Sequence, residues 1–173
     1  MLPIATDRLL LRAFTIEDVE ALISLDSDPD VRRHLHGPAA PSRSEVEAWV
    51  AKLRRTYHEG SRRGYWAAEL DGEFIGWFHL RPAADAEDAR GACELGYRLV
   101  KRVWNRGLAT EGARALLDLA WEDREPQVTA RTLAENLPSR RVMEKLGMRP
   151  VREFQYQDQV AIEYALENPS ASG

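Results

Sequence analysis

A chain of 173 residues with a hydrophobic fraction of 44% and a charged fraction of 30% has the balance of one globular domain with a sizeable core, which excludes a disordered chain. A formal net charge of −4 supplies no electrostatic footprint for nucleic acid, and a lone cysteine, Cys93, excludes an internal disulfide framework and argues against a thiolate metal site. No apolar run approaches the ~20 residues of a membrane helix, and Met1–Arg8 lacks the basic-then-apolar pattern of a secretory leader, so no membrane partner and a cytoplasmic location are expected.

In chain order, Leu9 to Phe14 predicts a first strand. Thr15 follows as an N-cap with Asp18 in a capping-box position, ahead of an apolar stripe at Val19, Leu22 and Ile23. Asp28-Pro29 opens a second helical piece carrying Val31 and Leu35, and residues 37–41 form a loop. Ser42 or Ser44 caps a helix with Val46, Trp49, Val50, Leu53 and Tyr57 at helical spacing, closed by Gly60. Two strands, Tyr65–Leu70 and Phe74–Leu80, flank the hairpin signal Asp71-Gly72. After a polar loop over residues 82–91, Cys93–Val100 is a strand and Ala109–Trp121 a helix. Val128–Leu133, Ser139–Leu146 and Val151–Tyr156 read as strand, helix and strand. Alternation at Val160, Ile162, Tyr164 and Leu166 marks a last strand, with a frayed tail from Asn168. The order β-α-α-α-β-β-β-α-β-α-β-β is mixed α/β, expected as one domain over residues 1–173 with a core from about residue 6 to 166.

The stretch Tyr97–Glu111 carries the chemistry. It is a strand, a short turn with small residues at Gly107 and Ala109, and a helix start. The first helical turn leaves N–H groups without internal partners, and with the positive end of the helix dipole these make an anion site, to which Arg102 and Arg106 can add charge. No Gly-Lys-Ser/Thr follows, and no G-x-G-x-x-G triplet is present, so neither a P-loop nor a dinucleotide fingerprint applies. On these residues alone, a tight turn holding no ligand stays open beside the anion site.

Trp104 to Glu111 resembles the acetyl-CoA pyrophosphate loop of GNAT acetyltransferases, closest to the ribosomal-protein-alanine and -serine N-acetyltransferase (RimJ/RimL-like) branch, where the loop commonly reads Trp-Gly-x-Gly-x-Ala-Thr-Glu. Asn105 replaces the first of those glycines. Asn136 to Met148 resembles the family's Asn-x-x-Ser-x-x-Val-x-x-Lys-x-Gly-Phe block, with Met148 at the Phe position. Thr6 to Arg12 resembles the branch's first strand, and Glu94-Leu95-Gly96-Tyr97 the strand before the loop. The resemblance covers roughly residues 6 to 166. It implies a central, mostly antiparallel sheet of six or seven strands, splayed between the fourth and fifth and flanked by helices. It also implies acetyl-CoA as co-substrate, without a metal. Arg106, Gly107, Leu108, Ala109 and Thr110 are then expected to hold the pyrophosphate. Leu99 would offer backbone groups to the pantetheine, Asn136 and Ser139 would stand beside its thiol end, and Arg141 would reach a CoA phosphate or remain a solvated charge.

The implied reaction is attack of an amine on a thioester, and only the neutral amine has a lone pair to use. An α-amine, with a pKa near ~7.7–8.0, needs little help from a base, whereas a lysine near ~10.4 needs a base, a proton wire or desolvation. Glu94 is the candidate base, against a plain salt-bridge role. Many GNAT enzymes use a Tyr as acid where Met143 stands, so Ser139 is the substitute candidate, its other reading being a helix N-cap. The acceptor is a protein N-terminal α-amine, an amino acid or a small-molecule amine, and a homodimer is compatible with such a domain. An acyl-CoA-binding module without catalysis is the second reading, kept open by Asn105, Met148 and the missing Tyr. The four histidines form no ligand pattern, one of Trp77 and Phe78 faces a central cleft, and Cys93 is a buried small hydrophobe.

Overall fold

The computed structural model describes residues 2–33, 35, 40–58, 62–83 and 93–170. Most of the two loops expected at residues 37–41 and 82–91, the helix stop at Gly60, and His34 and His36 lie outside the described residues.

One sheet of eight strands runs in the order β1-β2-β3-β4-β5-β6-β8-β7. The strands are β1 (Ile4–Ala5), β2 (Leu9–Arg12), β3 (Gly64–Leu70), β4 (Glu73–Pro82), β5 (Cys93–Leu99), β6 (Gln127–Leu133), β7 (Arg149–Tyr156) and β8 (Gln159–Glu167). The helices are α1 (Val19–Ser27), α2 (Pro29–Arg32), α3 (Arg43–His58), α4 (Leu108–Glu122) and α5 (Leu137–Lys145). The strand beyond the six or seven expected is β1, two residues paired antiparallel to β2 and too short for an alternation signal. By compactness the chain divides into two units, Met1–His79 with Tyr97–Gly112, and Leu80–Gly96 with Ala113–Gly173.

In the first unit, β2 buries Leu9 and Leu11 and exposes Leu10, the alternation expected of a strand. It ends at Arg12, two residues early, where the side chain turns to charge pairing. Arg12 Nη1 and Nη2 donate to Asp18 Oδ2 and Oδ1 at 2.7 and 2.8 Å, and Nε donates to Glu69 at 2.7 Å. The Asp18 hydrogen bond leads in holding the guanidinium well above its ordinary pKa. Asp18, buried, also accepts the Thr15 N–H at 2.8 Å, so the shorter acid serves as the reciprocal half of the capping box and as an ion-pair partner. Along α3, Val46, Val50, Leu53 and Tyr57 face a core with Phe14, Val19, Leu22 and Ala67. Asp71 and Gly72 both have positive φ, 53° and 79°, as the two-residue hairpin requires.

The Tyr57 hydroxyl donates to the Tyr65 carbonyl at 2.5 Å and accepts the Phe14 N–H at 3.5 Å, and burial pushes the phenol up to about 12. A folded pKa raised above the unfolded value of 10.0 gives stability that is intact below pH 10 and falls as pH rises toward 12. Tyr57→Phe is expected to cost about 1–2 kcal/mol at pH 7, from the orphaned backbone groups, and to shrink this alkaline decline. Urea unfolding at pH 7 and pH 11 checks both effects.

In the second unit, β8 pairs antiparallel with β6 over seven residues from Gln127↔Glu167 to Leu133↔Ala161, and with β7 on its other edge. The expected Ser139 N-cap of α5 is corrected. Asn136 is the cap, its Oδ1 accepting the Ser139 N–H at 3.2 Å, because Pro138 fits the first turn, where its missing N–H is not needed. The tail expected to fray from Asn168 is also corrected. Asn168 is buried, its amide donates to the Glu125 carbonyl at 2.9 Å, and its N–H to the Pro126 carbonyl at 2.9 Å. Residues 171–173 lie outside the described residues.

Candidate active site

In the first unit, β5 ends at Leu99, a 3₁₀ turn covers Lys101–Val103, and α4 begins at Leu108. Trp104 Nε1 donates to the Leu99 carbonyl at 2.8 Å and so folds the turn back on the strand end. Asn105 has φ 60° and Gly107 φ 79°. Both positions of the Trp-Gly-x-Gly pattern therefore need the left-handed region, and asparagine is among the few non-glycine residues that occupy it readily. The first i to i−4 bond joins the Glu111 N–H to the Gly107 carbonyl at 3.0 Å. The N–H groups of Gly107, Leu108, Ala109 and Thr110 precede it, where a helix start has no partners of its own to offer them. Leu108 is buried beneath them, Ala109 and Thr110 are half-buried, and Gly107 and the Arg106 side chain are exposed.

Glu111, the last residue of the loop motif, clamps this turn, a role the sequence did not disclose. Its Oε1 accepts from Thr6 Oγ1 at 2.6 Å and the Arg8 N–H at 2.8 Å, and its Oε2 from Arg8 Nε at 2.7 Å. Arg8 Nη1 then donates to the Arg106 carbonyl at 3.0 Å. Arg106 C=O and Gly107 N–H share one planar trans peptide, so fixing the carbonyl toward Arg8 aims the Gly107 N–H the opposite way. Burial raises the Glu111 pKa, but the Thr6 and Arg8 hydrogen bonds and the Arg8 charge together bring it net below 4.5. Arg102, expected to add charge to the loop, instead pairs with Glu73 at 3.1 Å and donates to the Phe74 carbonyl at 3.3 Å.

In the second unit, Glu94 is 8% exposed and its Oε1 accepts from Arg81 Nη2 at 2.8 Å. The parallel ladder between β5 and β6 consists of Cys93↔Val128 and Glu94↔Thr129, although each strand has seven residues. Asn136 and Ser139 are joined by the capping bond, with Ser139 half-buried in the first turn of α5. Met143 and Met148 are core residues, each 3% exposed. Arg141 is exposed, whereas its neighbour Arg140 donates to the Tyr164 hydroxyl and the Ala134 carbonyl, both at 3.1 Å.

The first unit also holds a cavity of about 320 Å³ over the face of β3, β4 and β5 beneath α1 and α3, lined by Asp26, Glu45, Trp49, Tyr65, Trp77 and Arg98 among others. Of the pair Trp77 and Phe78, Trp77 lines this cavity, and Phe78 is fully buried on the opposite face against Gly112. The sequence pointed to one of these two residues. It held no local signal for Asp26 or Arg98, which form an ion pair across 72 positions.

A profile of the acetyltransferase (GNAT) domain matches residues 8–149. The chain belongs to the GNAT acetyltransferase family. Acetyl-CoA-dependent N-acetylation is the family's chemistry, and this acetyltransferase carries its mixed α/β fold. It is 29% identical over 157 residues to the FsC-acetyl coenzyme A-N(2)-transacetylase of Aspergillus fumigatus; the match covers 86% of this chain but only 66% of that longer relative. A GNAT acetyltransferase structure from Bacillus anthracis superposes with a TM-score of 0.79 at 26% identity, covering 96% of this chain and 99% of that one. RimL, a ribosomal L7/L12 α-N-protein acetyltransferase in complex with coenzyme A, shares the fold with a TM-score of 0.80 at 17% identity, covering 96% of this chain and 98% of that one.

Proposed function

We propose that the acetyltransferase moves the acetyl group of acetyl-CoA to a primary amine by direct attack, and that residues 1–173 act as one domain in doing so. The observation that carries this reading is the turn at residues 105–110. Two left-handed residues and a clamped peptide there present consecutive N–H groups at a helix start. Those of Gly107, Leu108, Ala109 and Thr110 would hold the diphosphate, with Arg106 adding charge from its exposed position. A charge-assisted N–H bond is worth roughly 1.5–3 kcal/mol. Leu99 would flank the pantetheine through its backbone groups at the end of β5. Asn136 and Ser139 would stand at the thiol end, and Arg141 would reach a CoA phosphate.

The amine nitrogen attacks the thioester carbon, the C–S bond breaks, the nitrogen gives up a proton and the departing thiolate takes one. Glu94 is the proposed proton acceptor. Arg81 Nη2 donates to its Oε1 at 2.8 Å, and a carboxylate held in an ion pair is a weakened base, which favours an acceptor that is largely neutral without help, an α-amine over a lysine. The Trp104 and Ala109-Thr110-Glu111 signature supports reading the chain as similar to the ribosomal-protein acetyltransferase branch.

A thiol-release assay with acetyl-CoA across α-amines, amino acids and small-molecule amines tests the reading, with calorimetry of coenzyme A binding alongside. Turnover above hydrolysis and a measurable Kd are expected. Absence of binding to pure folded protein would overturn the cofactor assignment, and binding without turnover on every amine class would overturn the catalytic one.

A further inference from the structure

The cavity over β3, β4 and β5 has walls that are aromatic and fixed in place. Trp49 and Tyr65 meet edge to face at 5.3 Å, Tyr65 and Trp77 at 5.5 Å, and His79 stacks on Trp77 at 5.7 Å with an interplanar angle of 19°. Trp49, Tyr65 and Trp77 pack on the core with one side and stay half-exposed on the other, and aromatic side chains of this kind are the common lining of ligand pockets. Arg98 lies over the Trp77 ring, 5.0 Å from guanidinium carbon to centroid, and its charge is matched by Asp26. Around the aromatic surface the charges therefore cancel pairwise. Among the described residues the remaining carboxylate of the lining is Glu45, which is exposed.

We infer that this cavity is the acceptor pocket and that it takes a primary amine bearing a single compact apolar, preferably aromatic, body. The inference rests on the acetyl-transfer reading and names its substrate class. The aromatic walls favour burial of a ring or branched side chain, in proportion to the apolar surface removed from water. The guanidinium of Arg98 opposes a second ammonium in the same space, and Asp26 is already committed to Arg98, so a polycationic amine finds one exposed carboxylate, Glu45, in place of the acid cluster it needs. A volume of about 320 Å³ lies at the small end of ligand sites, which run to roughly 1,000 Å³. It suits an arylalkylamine, an amino acid, or the first side chain of a peptide.

The test compares 2-phenylethylamine, phenylalanine amide, a pentapeptide amide beginning with phenylalanine, spermidine and a deoxystreptamine aminoglycoside as acceptors, after calorimetry has shown that acetyl-CoA binds. The first two are expected to exceed the polycations in kcat/KM at least tenfold, and the peptide shows whether the same chemistry is read from a free amine or a chain terminus. Trp77→Leu and Tyr65→Leu are each expected to raise the KM for phenylethylamine about tenfold and leave the KM for acetyl-CoA unchanged. A polycation as the better acceptor, or an unmoved amine KM in both folded leucine variants, overturns the pocket assignment and leaves the transferase reading intact. Failure of acetyl-CoA to bind overturns the transferase reading itself. Tryptophan fluorescence reads phenylethylamine binding without turnover, and a titration with no saturable change rejects the pocket whatever the assay shows.

Discussion

Gly76→Ala is expected to remove most of the protein's stability and, with it, the acceptor pocket. A Cβ at Gly76 would lie 2.1 Å from the Arg98 carbonyl oxygen and 2.8 Å from the Leu99 Cα, and the residue's φ of 137° is itself unfavourable for a side chain. Both neighbours are backbone, so no rotamer change relieves the clash. The alternative is to pry β4 from β5, and with it the bond from the Val100 N–H, just past β5, to the Ile75 carbonyl at 2.9 Å. Overpacking in a tight core costs about 1–3 kcal/mol when side chains can yield, so a backbone clash should cost ~3 kcal/mol or more. Gly72→Ala is the control. Its φ is 79° but no atom lies within 4 Å of its Cβ, so the strain alone, about 1–2 kcal/mol, is expected. Thermal melts of the two variants should differ by several degrees at least. Because the close approach at Gly76 also brings Arg98 over Trp77, any Gly76→Ala protein that still folds should show a raised amine KM before a raised acetyl-CoA KM.

Arg8→Lys is expected to weaken acetyl-CoA binding about tenfold, or ~1.4 kcal/mol, although it keeps the positive charge. The guanidinium does three things at once that an ammonium on a flexible stem does not. It meets Glu111 through Nε, donates to the Arg106 carbonyl through Nη1, and keeps both in one plane. By the geometry of the shared peptide, the Gly107 N–H points away from Arg8, so Arg8 acts by positioning the turn. If Arg8 served as a bare cation toward the phosphates, Arg8→Lys would bind like wild type and Arg8→Ala would not. If it positions the turn, the two behave alike, with KM for acetyl-CoA raised and kcat little changed.

Glu111→Gln should release the same clamp, at about 1 kcal/mol or less of global stability, since the Arg8 side chain is 45% exposed and solvent screens the pair. The Glu111 carboxyl is held below its unfolded value of 4.5, so its contribution is complete above that pH and is lost as pH falls through the lower folded value. Glu111→Gln should therefore flatten part of the stability decline on the acid side, measurable by melts between pH 3 and pH 6.

Much of the fold was legible in the chain because its signals are local. The stripe in α3, the Asp71-Gly72 turn and the alternation in β8 each depend on residues a few positions apart, where backbone sterics and side-chain period dictate the geometry. Errors fell where a local signal was ambiguous or absent. Ser139 and Asn136 both cap well, and only the placement of Pro138 in the first turn decided between them. Asn168 carries no periodicity, and its burial depends on a carbonyl 43 residues earlier. Asn105, which on the sequence keeps a module without catalysis open, has φ 60°, a left-handed conformation that asparagine reaches more readily than most non-glycine residues.

The amino-acid order by itself determined the succession of helices and strands from β2 onward and the turn that opens α4, since helix starts, hairpins and left-handed positions are properties of a few consecutive residues. Tertiary structure decided the rest of the candidate site. It brought Arg8 to Glu111 across 103 positions, set Arg98 over Trp77 against Asp26, and made one cavity from five separate elements. Pairings at such separations are chosen by packing of the whole sheet face and its helices, and the residues involved carry no mark of their partners along the chain.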